Sequence, residues 1–357
     1  MNEENRRGQS VLWALFLIVI GSLFLLNNFG VFTGFSLYRL LSLWPIGLIA
    51  IGLNLILGRE YPYASYVIGI VALIAAFIAF PLIPSGADLI NGELRAQSFS
   101  EPVGEAETAT VVIDLRRYPT TISGVDGSGS LIEAEIEAVE DIDFRASGSD
   151  HKSITLDSSS GPRISFGFQD FFRNFSNEGN WTIQLDNMIP IDLSLDLGSG
   201  RTDLNFEDLL LTSLEIDSGS EGFDALLPAT REAYELIVDG GSGAFDISIE
   251  NEANIDARID VGSGSMDLSL GDAVELRADI DGGSGSIRVD IAETNAVRVV
   301  IRDGSSGSVR VASWLQLVDD GGDNDPDTGI WQTDGYVSAE NKIEIIFDPG
   351  SGSFTLR

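Results

Sequence analysis

The stretch Asp239-Gly240-Gly241-Ser242-Gly243-Ala244-Phe245-Asp246-Ile247-Ser248-Ile249 joins a glycine-rich corner to a run of alternating apolar and polar residues. The same phrase (aspartate, any residue, Gly-Ser-Gly, then alternation) begins at Asp196, Asp217, Asp239, Asp260, Asp281, Asp303 and Asp348, at offsets of 21, 22, 21, 21, 22 and 45 residues. A short fixed period marks a stack of equivalent units, each needing its neighbours to cover its apolar face. The aspartate stands in all seven copies, and so does the central serine: Ser199, Ser220, Ser242, Ser263, Ser284, Ser306 and Ser351. The flanking glycines give way only at Glu221 and Ser305. Glycine is required where the backbone takes φ > 0 or passes close to another segment, so each triplet reads as a tight corner.

On either side of the corners the period is two, the spacing of a strand. Ile191, Leu193 and Leu195 alternate with Asp192, Ser194 and Asp196. Phe245, Ile247 and Ile249 alternate with Asp246, Ser248 and Glu250, and Met266, Leu268, Leu270 and Ile287, Val289, Ile291 repeat the arrangement. Each copy is therefore expected to be strand, corner, strand with its apolar set inward. Stacking the copies predicts parallel sheets around a narrow dry core, an all-β single-chain parallel β-solenoid with rungs of 21–22 residues over 191–357.

Before Ile191 the pattern blurs. Val111, Ile113 and Leu115 alternate, Arg116-Arg117-Tyr118 stands where a corner would be, and Leu131 to Val139 alternates again. Residues 108–190 read as degenerate rungs or a β cap, which a solenoid needs at an exposed end. Within them Phe166 to Trp181 is an aromatic-rich excursion, read as a plug for a solenoid end.

The first 84 residues are a different material. Val11 to Leu26, Leu40 to Leu57 and Tyr66 to Ile83 are apolar runs without charges, close to the roughly 20 residues a helix needs to cross a bilayer. No small-residue cleavage site follows the first run, so it reads as a span rather than a removable leader. The plain expectation is an α-helical transmembrane bundle of about three spans over 11–84, after a cytoplasmic tail at 1–10 and before a linker at 85–107. Arg6, Arg7 and Arg59 place their flanks in the cytoplasm and Arg39 opposes weakly. With three spans the β domain lies outside the cytoplasm.

Charge narrows the partners. The chain carries a formal net charge of −34; beyond residue 83 stand 17 Arg and Lys against 52 Asp and Glu, a net −35. Such a surface repels nucleic acid, and no small-molecule substrate is expected. Protein partners are. Catalytic equipment is sparse: His151, beside Ser149-Asp150, is the one histidine, there is no cysteine, and no nucleophile elbow occurs. Zinc needs more His or Cys ligands than one. The corners open strands rather than helices and lack the Gly-Lys-Ser/Thr of a phosphate loop. Carboxylate pairs such as Asp203 and Asp224 could serve a glycosidase in principle, but on a flat sheet without a pocket, and the reading is of a protein that is not an enzyme.

No cofactor is called for, and Ca²⁺ is the ligand worth weighing. In a parallel stack the repeat aspartates stand about 4.8 Å apart, an arrangement that needs compensation. Each carboxylate can cap the amides of its own corner, or cations can bridge the column. A second outward column runs Asp203, Asp224, Asp246, Asp267 and then Arg288 and Arg310. The calcium-solenoid phrase Gly-Gly-x-Gly-x-Asp fails here because Phe245 stands where the ligand would be. The acidic insert 318–335 offers Asp323, Asp325, Asp327 and Asp334 at positions one, three, five and twelve, with Ile330 as apolar anchor, in the manner of a calcium loop. Pro326 at position four and Thr328 in place of glycine at six depart from that loop.

Two stretches resemble known families. Gly21-Ser-Leu-Phe-Leu-Leu-Asn-Asn-Phe-Gly30 and Leu43-Trp-Pro-Ile-Gly-Leu-Ile-Ala-Ile-Gly52 are similar to the membrane region of LiaI/LiaF-type proteins. Pro190-Ile-Asp-Leu-Ser-Leu-Asp-Leu-Gly-Ser-Gly200 and the later corners resemble the toastrack, adhesin-type (DUF4097-like) β-solenoid domains. The resemblance implies a bacterial cell-envelope protein that senses or modulates envelope stress beside a two-component system. Such membrane regions often have four spans where this chain shows three.

Overall fold

The computed structural model describes residues 44–57, 68–69, 71–72, 75 and 94–357, apart from 116–117, 139–140, 159–178, 231, 303–306 and 323–326. The chain divides into two compact units, Met1–Glu93 with Pro162–Asn177 and Leu94–Gly161 with Glu178–Arg357.

In the first unit α1 runs from Trp44 to Leu57, fourteen uncharged residues. Pro45 suits its first turn, where a missing N–H has no helical partner to lose. Leu48, Ile49, Ile51 and Leu53 are exposed along it, an apolar surface that spans more than one face. At 1.5 Å per residue α1 is about 21 Å long, and no helix among the described residues is long and apolar enough to cross a membrane. The first expected span, Val11 to Leu26, lies outside the described residues; of the third, Ile68, Gly69, Val71, Ala72 and Ala75 are helical.

The second unit is built of strands. β1 (Arg95–Pro102), β2 (Thr108–Asp114), β3 (Thr120–Val125), β4 (Ser130–Ala138), β5 (Ile142–Ser147), β6 (His151–Ser158) and β7 (Trp181–Asp186) precede the regular copies. The copies supply β8 (Ile191–Asp196) and β9 (Thr202–Asn205), β10 (Leu211–Asp217) and β11 (Phe223–Leu227), β12 (Tyr234–Asp239) and β13 (Ala244–Ile249). Next come β14 (Asn254–Asp260) and β15 (Ser265–Leu270), β16 (Glu275–Asp281) and β17 (Ser286–Ile291), β18 (Val297–Ile301) and β19 (Val309–Arg310). β20 (Gln316–Asp319) and β21 (Gly329–Gln332) pair as an antiparallel hairpin, and β22 (Ile343–Asp348) with β23 (Ser353–Leu356) form the last copy. β1 falls within the stretch expected as linker: its eight residues pair antiparallel with β4.

Among the described residues these strands make two sheets, ordered β1-β4-β7-β3-β9-β11-β13-β15-β17-β23-β19 and β20-β21-β18-β22-β16-β14-β12-β10-β8-β2-β6-β5. Each copy gives one strand to each sheet, and from β8 to β17 every copy pairs in parallel with the next. At both ends the stacking order departs from chain order. β2 and β3 sit between β8, β9 and the later β6, β7, while β22 and β23 sit between β16, β17 and the earlier β18, β19. Antiparallel strands then close each end: β1, β4 and β5 at one, and the β20–β21 hairpin at the other.

The register is set by burial. Val111, Leu193, Leu214, Leu236, Ala257, Ala278, Ile345 and Val299 form one inward column. Ile122, Leu204, Ala225, Ile247, Leu268, Val289 and Leu356 form another in the opposite sheet. All are buried in one continuous apolar cluster. A one-residue slip would turn every such column to water, so the alternation alone pins the pairing. Stacked rings thicken the core: Phe223 on Phe245 with centroids 5.0 Å apart, and Phe347 on Phe354 at 4.4 Å.

The corners stack as closely as the strands. Ser220, Ser242, Ser263, Ser284 and Ser351 donate backbone N–H groups to the carbonyls of Gly198, Gly219, Gly241, Gly262 and Gly283, at 2.7 to 3.1 Å. That approach explains the second glycine of each triplet: a Cβ on Gly264 would overlap the carbonyl of Gly243, and one on Gly285 that of Gly264. The first glycine has its own constraint, since Gly262 and Gly283 take φ of 62° and 50°.

Candidate functional site

The repeat aspartates form an unbroken column at the corner end of the twelve-stranded sheet. Register pairs run Asp157–Asp114–Asp196–Asp217–Asp239–Asp260–Asp281–Asp348. Asp114 and Asp157, which precede the regular repeats, thus extend it by two. The signal for them was present, since each closes an alternating run (Val111, Ile113; Ile154, Leu156), but no Gly-Ser-Gly follows either. The compensation is local where it is seen: Asp196, Asp260 and Asp281 each accept, through Oδ1, the N–H of the first corner glycine, at 3.2, 2.8 and 3.2 Å. Such side-chain to backbone bonds fix the turn. At Asp217 partial burial, reinforced by the charges of Asp196, Asp239 and Glu215, raises the carboxyl above its ordinary value.

The second column lies on the outer face of the eleven-stranded sheet, in the order Asp203, Asp224, Asp246, Asp267, Arg288. Arg201 bonds Asp224, and Arg288 Nη1 donates to Asp267 Oδ1 at 2.7 Å. Asp246 is pushed up by burial first, then by a hydrogen bond with Asp224 and by the charges of Asp224 and Asp267, with Arg201 opposing. A shallow open concavity of about 250 Å³ lies over this patch, lined by Thr121, Asp203, Asn205, Asp224, Asp246 and Ser248. The carboxylates stand side by side on a sheet surface, and one of the pair Asp203 and Asp224 is held by an arginine. Further along the sheet Asp290 is pulled below its ordinary value by the Arg357 guanidinium bonded to it.

The two acidic columns lie on different sheets, one along the stacked corners and one on an outer sheet face. Residues 91–247 match the family model for the N-terminal domain of toast_rack, DUF2154, and residues 11–56 match that of the LiaI-LiaF-like transmembrane region. The chain is thus similar to toast_rack proteins over 91–247 and to LiaI-LiaF-like membrane regions over 11–56. The toast_rack match runs from β1 into β13, so it takes in the irregular strands and the first three regular copies. The copies beyond it continue the same grammar. Among solved structures the chain is similar to a candidate cell adhesion protein from Clostridium sporogenes ATCC 15579, at 14% identity over 73% of this chain and 99% of that one, with a TM-score of 0.35. It is also similar to a candidate adhesin from Bacteroides fragilis NCTC 9343, at 11% identity over 74% and 97%, with a TM-score of 0.28. No curated protein matches the chain.

The other residues singled out from the sequence fall as follows. His151 is exposed, with Nδ1 2.8 Å from Thr108 Oγ1 and Nε2 3.2 Å from Thr110 Oγ1, while Ser149 donates to Asp150. Asp323 and Asp325 lie outside the described residues. Asp327 and Asp334 stand on either side of β21, and Ile330 is half-buried within that strand. Among the described residues no three His, Cys, Asp or Glu side chains gather as metal ligands. The Phe166 to Trp181 excursion lies outside the described residues up to 178; Trp181 itself is buried and stacks on Tyr118 at 6.2 Å. Sequence reading missed Lys152, which is 7% exposed and ion-paired to Glu101 of β1. It occupies an inward position of β6, where alternation alone calls for an apolar residue.

Proposed function

We propose that the chain is a non-enzymatic, membrane-anchored bacterial cell-envelope protein whose acidic β-solenoid makes protein or cell-wall contacts in envelope-stress sensing. The observation that carries this is the presence, on one chain, of a LiaI-LiaF-like transmembrane region and a toast_rack domain with in-register acidic columns. A stacked sheet suits the task because its side chains are spaced by the backbone and little conformational freedom remains to be lost on binding. The basic residues Arg6, Arg7 and Arg59 support a cytoplasmic N-terminus and a β domain on the far side of the membrane. The membrane partner fitting the resemblance is a component of a two-component system.

The test is affinity capture from cross-linked cell envelopes with the full chain and with a chain lacking 94–357. Specific proteins or wall fragments retained only by the full chain are the expected result; identical captures from both would end the proposal. The uninterrupted register of the first aspartate column favours a second reading, a calcium-responsive surface adhesin with cation-bridged aspartates, which Asp217→Asn separates from the first as set out below.

A further inference from the structure

The copy at 343–356 follows the copy at 297–310 in the chain yet lies inside it in the stack. β22 pairs in parallel with β16 on one side and β18 on the other; β23 does so with β17 and β19. We propose that the gap between the rung 276–291 and the rung 297–310 is a strand-binding slot, filled by residues 343–356 within one copy and open to the same residues of a second copy, so that two chains exchange this rung.

Three observations support the exchange. The connector that crosses the slot, 292–296, has five residues, whereas the connectors that climb one strand spacing, 206–210, 228–233, 250–253 and 271–274, have five, six, four and four. Its length falls within their range, although it spans two spacings, about 9.6 Å instead of 4.8 Å. With the insert withdrawn, the rung 297–310 can therefore step down onto 276–291, as its offset of 22 residues from Asp281 to Asp303 prescribes.

The slot walls are equivalent to one another. Leu276, Ala278 and Ile280 meet Ile343, Ile345 and Phe347, which in turn meet Val297, Val299 and Ile301. Withdrawal followed by closure thus replaces one apolar contact by a similar one, which lowers the barrier that a bare sheet edge would otherwise impose. The insert is also held by contacts any identical copy would reproduce: Arg357 to Asp290, Ser351 Oγ to Ser284 Oγ at 3.2 Å, and Ser353 Oγ to Ser286 Oγ at 3.1 Å. A segment with two equivalent homes is the requirement for swapping between copies.

The chain contains no cysteine, which gives a direct test in detergent-solubilised full-length protein. Ser286→Cys and Ser353→Cys are made singly, with different tags, and together in one chain. Adjacent in-register parallel positions meet the Cα spacing a disulfide requires. The double variant should link internally on oxidation. The two single variants, mixed through a brief exposure to partial denaturant and then oxidised, should give a disulfide-linked heterodimer bridging 286 to 353 by mass spectrometry. Oxidising the double variant before mixing should abolish its exchange with a single variant. Internal linkage without any heterodimer from the mixed singles would overturn the exchange, and failure of the double variant to link would overturn the slot itself.

Discussion

Gly285 shows how little freedom one residue has in this fold. Its missing Cβ is what lets the carbonyl of Gly264 sit against it, and Gly352 stands in the same relation to Gly285. Gly285→Ala should therefore separate two corners and cost about 3 kcal/mol or more. Ser284→Ala, which alters an exposed hydroxyl one residue away, should move stability by less than about 0.5 kcal/mol. Urea melts of the two variants check this, and equal effects would show that corner stacking does not govern stability. Asp217, within the first aspartate column, acts with the opposite sign. Because Asp217 is raised in the folded state, ionising it works against folding: stability is highest below the ordinary carboxylate range and falls as pH rises through the raised value. Asp290, lowered by Arg357, contributes stability above that range and loses it as pH falls. Asp217→Asn should thus raise the melting temperature by roughly 1–3 °C at neutral pH. The gain should vanish in acid and shrink with salt. Millimolar Ca²⁺ should leave it unchanged; if Ca²⁺ strongly stabilises the native chain and Asp217→Asn blunts that effect, the cation-bridged reading replaces turn capping.

The element that closes the C-terminal end is a hairpin whose β21 pairs with β18 and is also tied to it by one side chain. Arg298 on β18 donates to Gln332 Oε1 through Nε at 3.2 Å and Nη2 at 2.9 Å, and its guanidinium lies 4.3 Å from the Tyr336 ring centroid. It also reaches Glu344 at 3.7 Å, tying the hairpin to the intercalated β22. Arg298→Ala should speed hydrogen exchange over 329–340 by about tenfold, the equivalent of roughly 1.4 kcal/mol from a part-buried cation–π and hydrogen-bonded group, while exchange over 211–260 stays unchanged. Unaltered exchange in 329–340 would mean that backbone pairing suffices. This hairpin marks where sequence reading stops: the acidic run carried no strand signal, yet β21 forms between Asp327 and Asp334, with Ile330 and Trp331 paired to Val300 and Val299. The β8–β17 region, by contrast, was legible residue by residue, since alternation fixes the face and the glycines fix the corners. Lys152 was not, because its partner Glu101 lies 51 residues away and only the docking of β1 brings the pair together.

At the scale of the whole molecule the side of the membrane decides which partners are available. Ser269 is exposed on the eleven-stranded sheet, and Ser269→Cys gives the cysteine-free chain one reactive thiol. A membrane-impermeant maleimide should label it in intact cells, as an extracytoplasmic β domain requires; labelling only after lysis would reverse the topology. The repeat determined the material of the fold by itself: two strands per copy, inward apolar columns, glycine corners and the aspartate register are all consequences of period two inside a period of 21–22. Those are local properties, and each copy states them in full. The order of the rungs is not local. Equivalent copies present equivalent edges, so nothing in the alternation says that 343–356 belongs inside 297–310, or that Thr108–Val125 lies between the strands that follow it. Only the tertiary structure decided that, because hydrogen bonds and apolar contacts between interchangeable rungs leave the choice to the connections and to the strands that cap each end.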